Sequence, residues 1–119
     1  MKITRTIVKK PYAVKFEICE GRQKIAWAYL YLIFQDRHKE PYGLMENVYV
    51  EEAWRDRGLG SMLVRRLIRE ARKRGCYKLI GTSKIENTGA HRFYKKFGFQ
   101  KIGYEFRIDL KKSRPRQQD

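Results

Sequence analysis

The run Val48-Tyr49-Val50-Glu51-Glu52-Ala53-Trp54-Arg55-Asp56-Arg57-Gly58-Leu59-Gly60-Ser61-Met62-Leu63 constrains the fold more than any other part of the chain. A β-type alternation ends in an Arg/Gly-rich turn that opens directly into a helical apolar pattern. The first N–H groups of a helix have no intrahelical partner and carry the positive end of its macrodipole, so a turn of this kind can cradle an anion. Gly58 and Gly60 put no Cβ between backbone amide and ligand, and Arg55 and Arg57 add positive charge around them. The same residues fit a plain strand-to-helix turn, and the local pattern alone leaves both readings open. A Rossmann dinucleotide site does not fit: Gly-x-Gly-x-x-Gly is absent, and no acidic residue ends a following strand at the expected distance.

Periodicity elsewhere gives a mixed α/β order. Residues 2–8 alternate weakly as a first strand, and Val14, Phe16 and Ile18 alternate with polar neighbours in a second. Gly21-Arg22 turns the chain. Trp27, Tyr29, Tyr31 and Ile33 face one way and Ala28, Leu30, Leu32 and Phe34 the other, so the third strand is apolar on both faces and is expected to be central. Gln35 to Tyr42, polar and containing Pro41, reads as a loop, and Leu44 to Val50 as the fourth strand. Leu59, Leu63, Leu67 and Ala71, with Val64 and Ile68, make the apolar stripe of a helix that stops at Gly75. Tyr77 to Thr82 reads as a fifth strand. Asn87 or Thr88 caps a short helix with Ala90, Phe93 and Phe97 turned inward; it stops at Gly98, and Phe99 to Leu110 returns as a final strand.

At 119 residues the chain has room for one core, expected over residues 1–110, and residues 111–119 form a basic tail without apolar content, expected to be disordered. Its 42% hydrophobic residues include no run of 18 or more that would span a membrane, and the alternating N-terminus lacks the continuous apolar region of a signal peptide. A cytoplasmic protein without a membrane partner is expected. Cys19 and Cys76 read as buried thiols rather than a disulfide, and two Cys and two His at scattered positions make no zinc site, so no metal is expected. The formal net charge is +15, and nine Lys/Arg lie between Arg55 and Lys78 against only Asp56 and Glu70. That basic stripe is either a solvated helix face or a surface for RNA, an acidic protein or phosphates.

Arg55-x-x-Gly58-x-Gly60, with Leu44 to Val50 upstream and Asn87-x-x-Ala90-x-x-Phe93-Tyr94-x-x-Phe97-Gly98-Phe99 downstream, resembles the GNAT family of N-acetyltransferases over roughly residues 44–104. The resemblance implies a mixed, mostly antiparallel sheet flanked by helices, splayed between its fourth and fifth strands, with acetyl-CoA as cosubstrate in the gap. Its pantetheine arm would pair with the fourth strand as an added strand does, between walls supplied by Val48 and Val50. The pyrophosphate would meet Arg55, Arg57, Gly58, Leu59, Gly60 and Ser61. Asn87 falls near the pantetheine amides in the resembling proteins, while as a residue it reads equally as a helix cap. Tyr94 takes the position of the family's acid, and a phenol that keeps its proton at neutral pH can donate to a departing thiolate. Glu46 matches a position where many members carry the base that deprotonates the incoming ammonium, directly or through water. His91, one turn before Tyr94, reads as a surface histidine or a modulator of that tyrosine, and His38 has no assigned role.

The family usually places two helices between its first two strands; here only Lys9-Lys10-Pro11 and a few neighbours separate them. This minimal form implies an open acceptor site, suited to a protein lysine, a protein N-terminus or another bulky amine, with a homodimer as one way to complete the wall. Two functions follow: an acetyl-CoA-dependent N-acetyltransferase, or a catalytically degenerate module that keeps the fold and binds CoA, RNA or protein through its basic face.

Overall fold

A 13-residue strand built on the apolar run around Leu30 organises the sheet. The structure, a computed structural model, describes Arg5 and residues 12–111. Its elements in chain order are β1 (Tyr12–Glu20), β2 (Gln23–Gln35), β3 (His38–Val50), a single 3-10 turn (Glu52–Trp54), α1 (Leu59–Lys73), β4 (Leu79–Gly81) and α2 (Thr88–Lys96). The four strands form one sheet in the order β1-β2-β3-β4, with β1/β2 and β2/β3 antiparallel. The chain divides into two compact units, one ending at Ile80 and one beginning at Gly81.

β2 is central in its unit, flanked by β1 and β3, as its apolar content implies. Its two faces differ, however. Ala26, Ala28, Leu30 and Leu32 are buried with Met45 of β3 and with Leu63, Val64, Leu67 and Ala71 of α1. The opposite face, led by Trp27, Tyr29 and Ile33, is only half-buried, and Tyr31 is 39% exposed. Apolar side chains on both faces therefore make the strand central without closing both faces to water. The i, i+4 spacing of Leu59, Leu63, Leu67 and Ala71 aims one stripe of α1 at the sheet, and each fully buried Leu or Val contributes about 1.5–3 kcal/mol of transfer free energy. Gly75, at φ +77, ends this helix after Arg72 and Lys73, whose charges suit its negative C-terminal end. Arg74 pairs with Glu70 at 2.7 Å and draws the Glu70 carboxyl below its ordinary value.

Three expectations about the strands change. Gln35 to Tyr42 is not a loop: only Asp36 and Arg37 turn, and β3 begins at His38. Backbone pairing is indifferent to side-chain polarity, so a polar stretch can extend a ladder that β2 already templates. Pro41 has no N–H to give, but its carbonyl accepts from Tyr77 N at 3.1 Å. The fifth strand is shorter than Tyr77 to Thr82, covering Leu79–Gly81 alone. Phe99 to Leu110 is not a strand. It joins no ladder with a described strand, and Ile102, Tyr104, Phe106, Ile108 and Leu110 are 74–93% exposed. Alternation states which face of a strand is apolar; it does not supply a partner.

Cys19 is exposed rather than buried, while Cys76 is half-buried and burial pushes its thiol up; both are free. Among the described residues no helix is long and apolar enough to cross a membrane. The strand expected over residues 2–8, Arg5 apart, and the basic tail beyond Lys111 lie outside the described residues.

Candidate active site

β3 enters the site as a paired strand and leaves it as a distorted one. Across the β2/β3 ladder Trp27 faces Tyr49 but Tyr29 faces Glu46, so β3 carries an extra residue between those pairs. Asn47 sits there at φ +54, a left-handed conformation that Asn tolerates better than most residues. Such a bulge bends its strand and re-aims the side chains around it. It lies between Glu46 and Val48, two of the residues singled out by the sequence. Glu46, Val48 and Val50 are all half-buried.

On its other side β3 meets β4 near its beginning, where Gly43 N donates to Lys78 O at 2.9 Å. Gly43 has no room for a side chain: a Cβ there would lie 2.9 Å from both Leu30 Cδ1 and Leu79 Cδ1. A three-residue strand can accompany only part of a 13-residue one. Beyond the bulge, β3 therefore keeps a backbone edge that no described strand occupies, the kind of edge an amide-bearing chain can extend.

The turn after β3 is held by its own arginines. Arg55 Nε donates to Val50 O at 2.9 Å, and its guanidinium lies 5.4 Å from the Tyr49 ring centroid. Arg57 donates to Ala53 O at 3.4 Å and lies 4.7 Å from the Trp54 centroid. Both remain exposed, with further donors to offer. Asp56 and Gly58 take positive φ, +63 and +78, and Gly58 is the N-cap of α1. No side chain caps this helix and its first turn holds no acidic residue. The first helical bond comes from Met62 N to Gly58 O at 3.1 Å, so the amides of Leu59, Gly60 and Ser61 precede the ladder and face outward. Positive dipole end, uncapped amides, absent Cβ and two arginines converge on one turn, an arrangement that fits a pyrophosphate.

In the second unit, Asn87 caps α2 by accepting from Ala90 N at 3.0 Å through Oδ1, which leaves its side-chain NH2 outside the cap. The cap half of its two readings is thus met. His91 bonds Lys84 O at 2.9 Å through Nε2 and so ties the preceding loop to α2. Tyr94 is half-buried; its hydroxyl donates to Thr82 O at 3.2 Å, and its ring lies 6.0 Å from that of Phe93 and 5.4 Å from that of Phe99.

The profile of the Acetyltransferase (GNAT) family matches residues 7–99. The chain belongs to the GNAT family. Glucosamine 6-phosphate N-acetyltransferase 1 of Oryza sativa subsp. japonica is 53% identical over 57 residues, which are 48% of this GNAT chain and 33% of that protein. The glucosamine 6-phosphate N-acetyltransferase of Trypanosoma brucei brucei is 37% identical over 57% of this chain and 44% of its own length. The chain thus spans less than half the length of these curated relatives. Among solved structures, a putative acetyltransferase from Agrobacterium tumefaciens str. C58 matches with a TM-score of 0.75 at 31% identity, over 82% of this chain and 69% of that one. The four-stranded sheet and two helices of the described residues match the GNAT architecture.

Sequence reasoning missed the Asn47 bulge, the aromatic seats of the two arginines and the Thr82 carbonyl that holds Tyr94. It also missed the partner of His38, which opens β3 and stacks on Tyr77 with centroids 3.9 Å apart. An Asn inside an alternating strand was the one legible signal, since Asn accepts the left-handed conformation a bulge needs. The Thr82 contact leaves no trace in residue type, because a backbone carbonyl accepts it.

Proposed function

We propose that this chain transfers an acetyl group from acetyl-CoA to the primary amine of an amino sugar. The observation that carries the reading is the turn at Arg55 to Ser61, where an uncapped helix N-terminus, a left-handed Gly58 and two exposed arginines meet. Those residues would hold the pyrophosphate. The backbone edge of β3 beyond Asn47, which no described strand pairs and where the Val50 carbonyl already accepts from Arg55, would take the pantetheine amides between Val48 and Val50, and the side-chain NH2 of Asn87 would be a further donor for them. A backbone N–H near Val48 to Val50 would stabilise the oxyanion that forms on the acetyl carbonyl. Glu46 would accept a proton from the ammonium, leaving the neutral amine that attacks. Tyr94 would donate its phenolic proton to the departing thiolate, exchanging its bond to Thr82 for that role.

A protein lysine or N-terminus, the bulky amine expected from the sequence, is the other candidate acceptor. The names of the two curated relatives weigh toward the sugar, since both act on glucosamine 6-phosphate. Incubation with isotopically labelled acetyl-CoA and either glucosamine 6-phosphate or a lysine-bearing peptide, read by mass spectrometry, tests the reading. Label on the sugar amine is expected. Label on the peptide alone would move the acceptor to protein. CoA binding with no transfer to any amine would identify the degenerate binding module instead.

A further inference from the structure

The sheet face that α1 leaves uncovered carries an ordered set of aromatic rings between opposite charges. Tyr29 of β2 stands across the ladder from Lys15 of β1 on one side and from Glu46 of β3 on the other. Trp27 and Tyr31, two residues away on the same strand, share its face. The rings of Tyr29 and Tyr31 are stacked, 6.0 Å between centroids and 12° between planes, and Trp27 and Tyr49 close the row at 4.9 Å. These rings are half-exposed, Tyr31 most of all.

The charges at the two edges are not equivalent. Lys15 Nζ lies 5.4 Å from the Tyr29 centroid and 2.9 Å from Glu17 Oε1, and Glu17 is shared with Lys24 at 3.6 Å. Two ammonium groups against one carboxylate leave that edge net positive. At the opposite edge no cation among the described residues pairs with Glu46. The backbones of Lys15 and Glu46 are two strand spacings apart, about 9.5 Å. A single sugar ring with a cationic and an anionic substituent bridges that span with its apolar C–H face on the aromatic rings.

Resting on the acetyl-transfer reading above, we infer that this face is the acceptor subsite. Tyr29 and Tyr31 support the ring of an amino-sugar phosphate, Glu46 receives its ammonium and Lys15 its phosphate. The arrangement explains why the reactive amine would be delivered to the proposed base rather than to the cationic edge. It also separates two components of specificity, the aromatic rings reading the sugar and Lys15 reading the phosphate.

Steady-state acetyl transfer by the full chain at saturating acetyl-CoA, with glucosamine 6-phosphate and with glucosamine as acceptors, tests the inference. Lys15→Met should raise KM for glucosamine 6-phosphate about tenfold or more, the loss of one charge-assisted contact, while KM for glucosamine stays near wild type. Tyr31→Ala should raise KM for both sugars and leave KM for acetyl-CoA unchanged. A Lys15 that is only structural would shift both sugars equally, and that result overturns its assignment. Unchanged sugar KM in Tyr31→Ala overturns the aromatic platform. Should acetyl-CoA bind while glucosamine 6-phosphate neither reacts nor alters tryptophan fluorescence, the acceptor subsite is wrong and the acetyl-transfer reading survives. If acetyl-CoA itself fails to bind, the reading beneath falls with it.

Discussion

At Tyr94 one hydroxyl holds a structural bond and carries the proposed acid role. Its bond to Thr82 O orients the phenol, while the rings of Phe93 and Phe99 beside it fix the side chain. Tyr94→Phe keeps the ring and loses the bond, so stability should fall by only about 0.5–1.5 kcal/mol, because the site is half-exposed and water can satisfy Thr82. Turnover should fall much further, by roughly 10² to 10⁴-fold if protonation of the thiolate limits the rate. Chemical denaturation alongside kcat separates the two effects, and equal small losses in both would make Tyr94 a packing residue. Glu46→Gln should reduce activity most at neutral pH and recover in part as pH rises, when free amine forms without a base. A flat ratio of variant to wild-type rate across pH would remove Glu46 from proton transfer. Gly43 belongs to the fold rather than to the chemistry. Gly43→Ala sets a Cβ 2.9 Å from the fully buried Leu30 and from Leu79, so about 1–3 kcal/mol of overpacking cost should appear as a lower Tm.

Among the elements, α2 offers a clean separation of cap from ligand contact. Asn87→Ser retains an oxygen to accept from Ala90 N, so the helix should lose little; Asn87→Ala should cost about 1 kcal/mol. If the Asn87 NH2 meets pantetheine, both variants should raise KM for acetyl-CoA alike, despite their different stabilities. An unchanged KM in Asn87→Ser would leave the residue as a cap alone. The helices were legible in the sequence because their signals are local: an apolar stripe from Leu59 to Ala71, glycines at 58, 75 and 98, and an Asn at the cap. The sheet was legible where polarity alternates and where, as around Leu30, an apolar run has no polar face. β3 was truncated in the reading because Gln35 to Tyr42 is polar, although β2 supplies its ladder whatever the side chains are. Residues 99–110 were read as a returning strand, although pairing needs a neighbour that a residue pattern cannot report. The turn at Arg55 to Ser61 was readable since its glycines and arginines are themselves the groups that would hold a pyrophosphate. The Asn47 bulge and the Tyr94 to Thr82 bond depend on register and backbone, which residue types encode weakly.

At the scale of the whole molecule, a formal charge of +15 raises the question of whether CoA would bind by general attraction or at a built site. Arg65, Arg66, Arg69, Arg72 and Lys73 are all exposed along α1, so some non-specific attraction for polyanions is expected, and it should fade as salt rises. Binding at the turn should differ, because Gly58 at φ +78 and the uncapped amides after it act through geometry as well as charge. Gly58→Glu is the decisive variant. Nothing lies within 4 Å of a Cβ at this position, so the substitution meets no steric clash, and its left-handed backbone costs about 1–2 kcal/mol. It changes a charge of +15 by a single unit but sets a carboxylate where the pyrophosphate would approach. Isothermal titration of CoA into folded wild type and folded Gly58→Glu at physiological salt therefore tests the central claim most directly. A pyrophosphate site at this turn predicts saturable one-to-one binding to the wild type and none to the variant. Absence of binding to the wild type, or equal binding to both proteins, would contradict it.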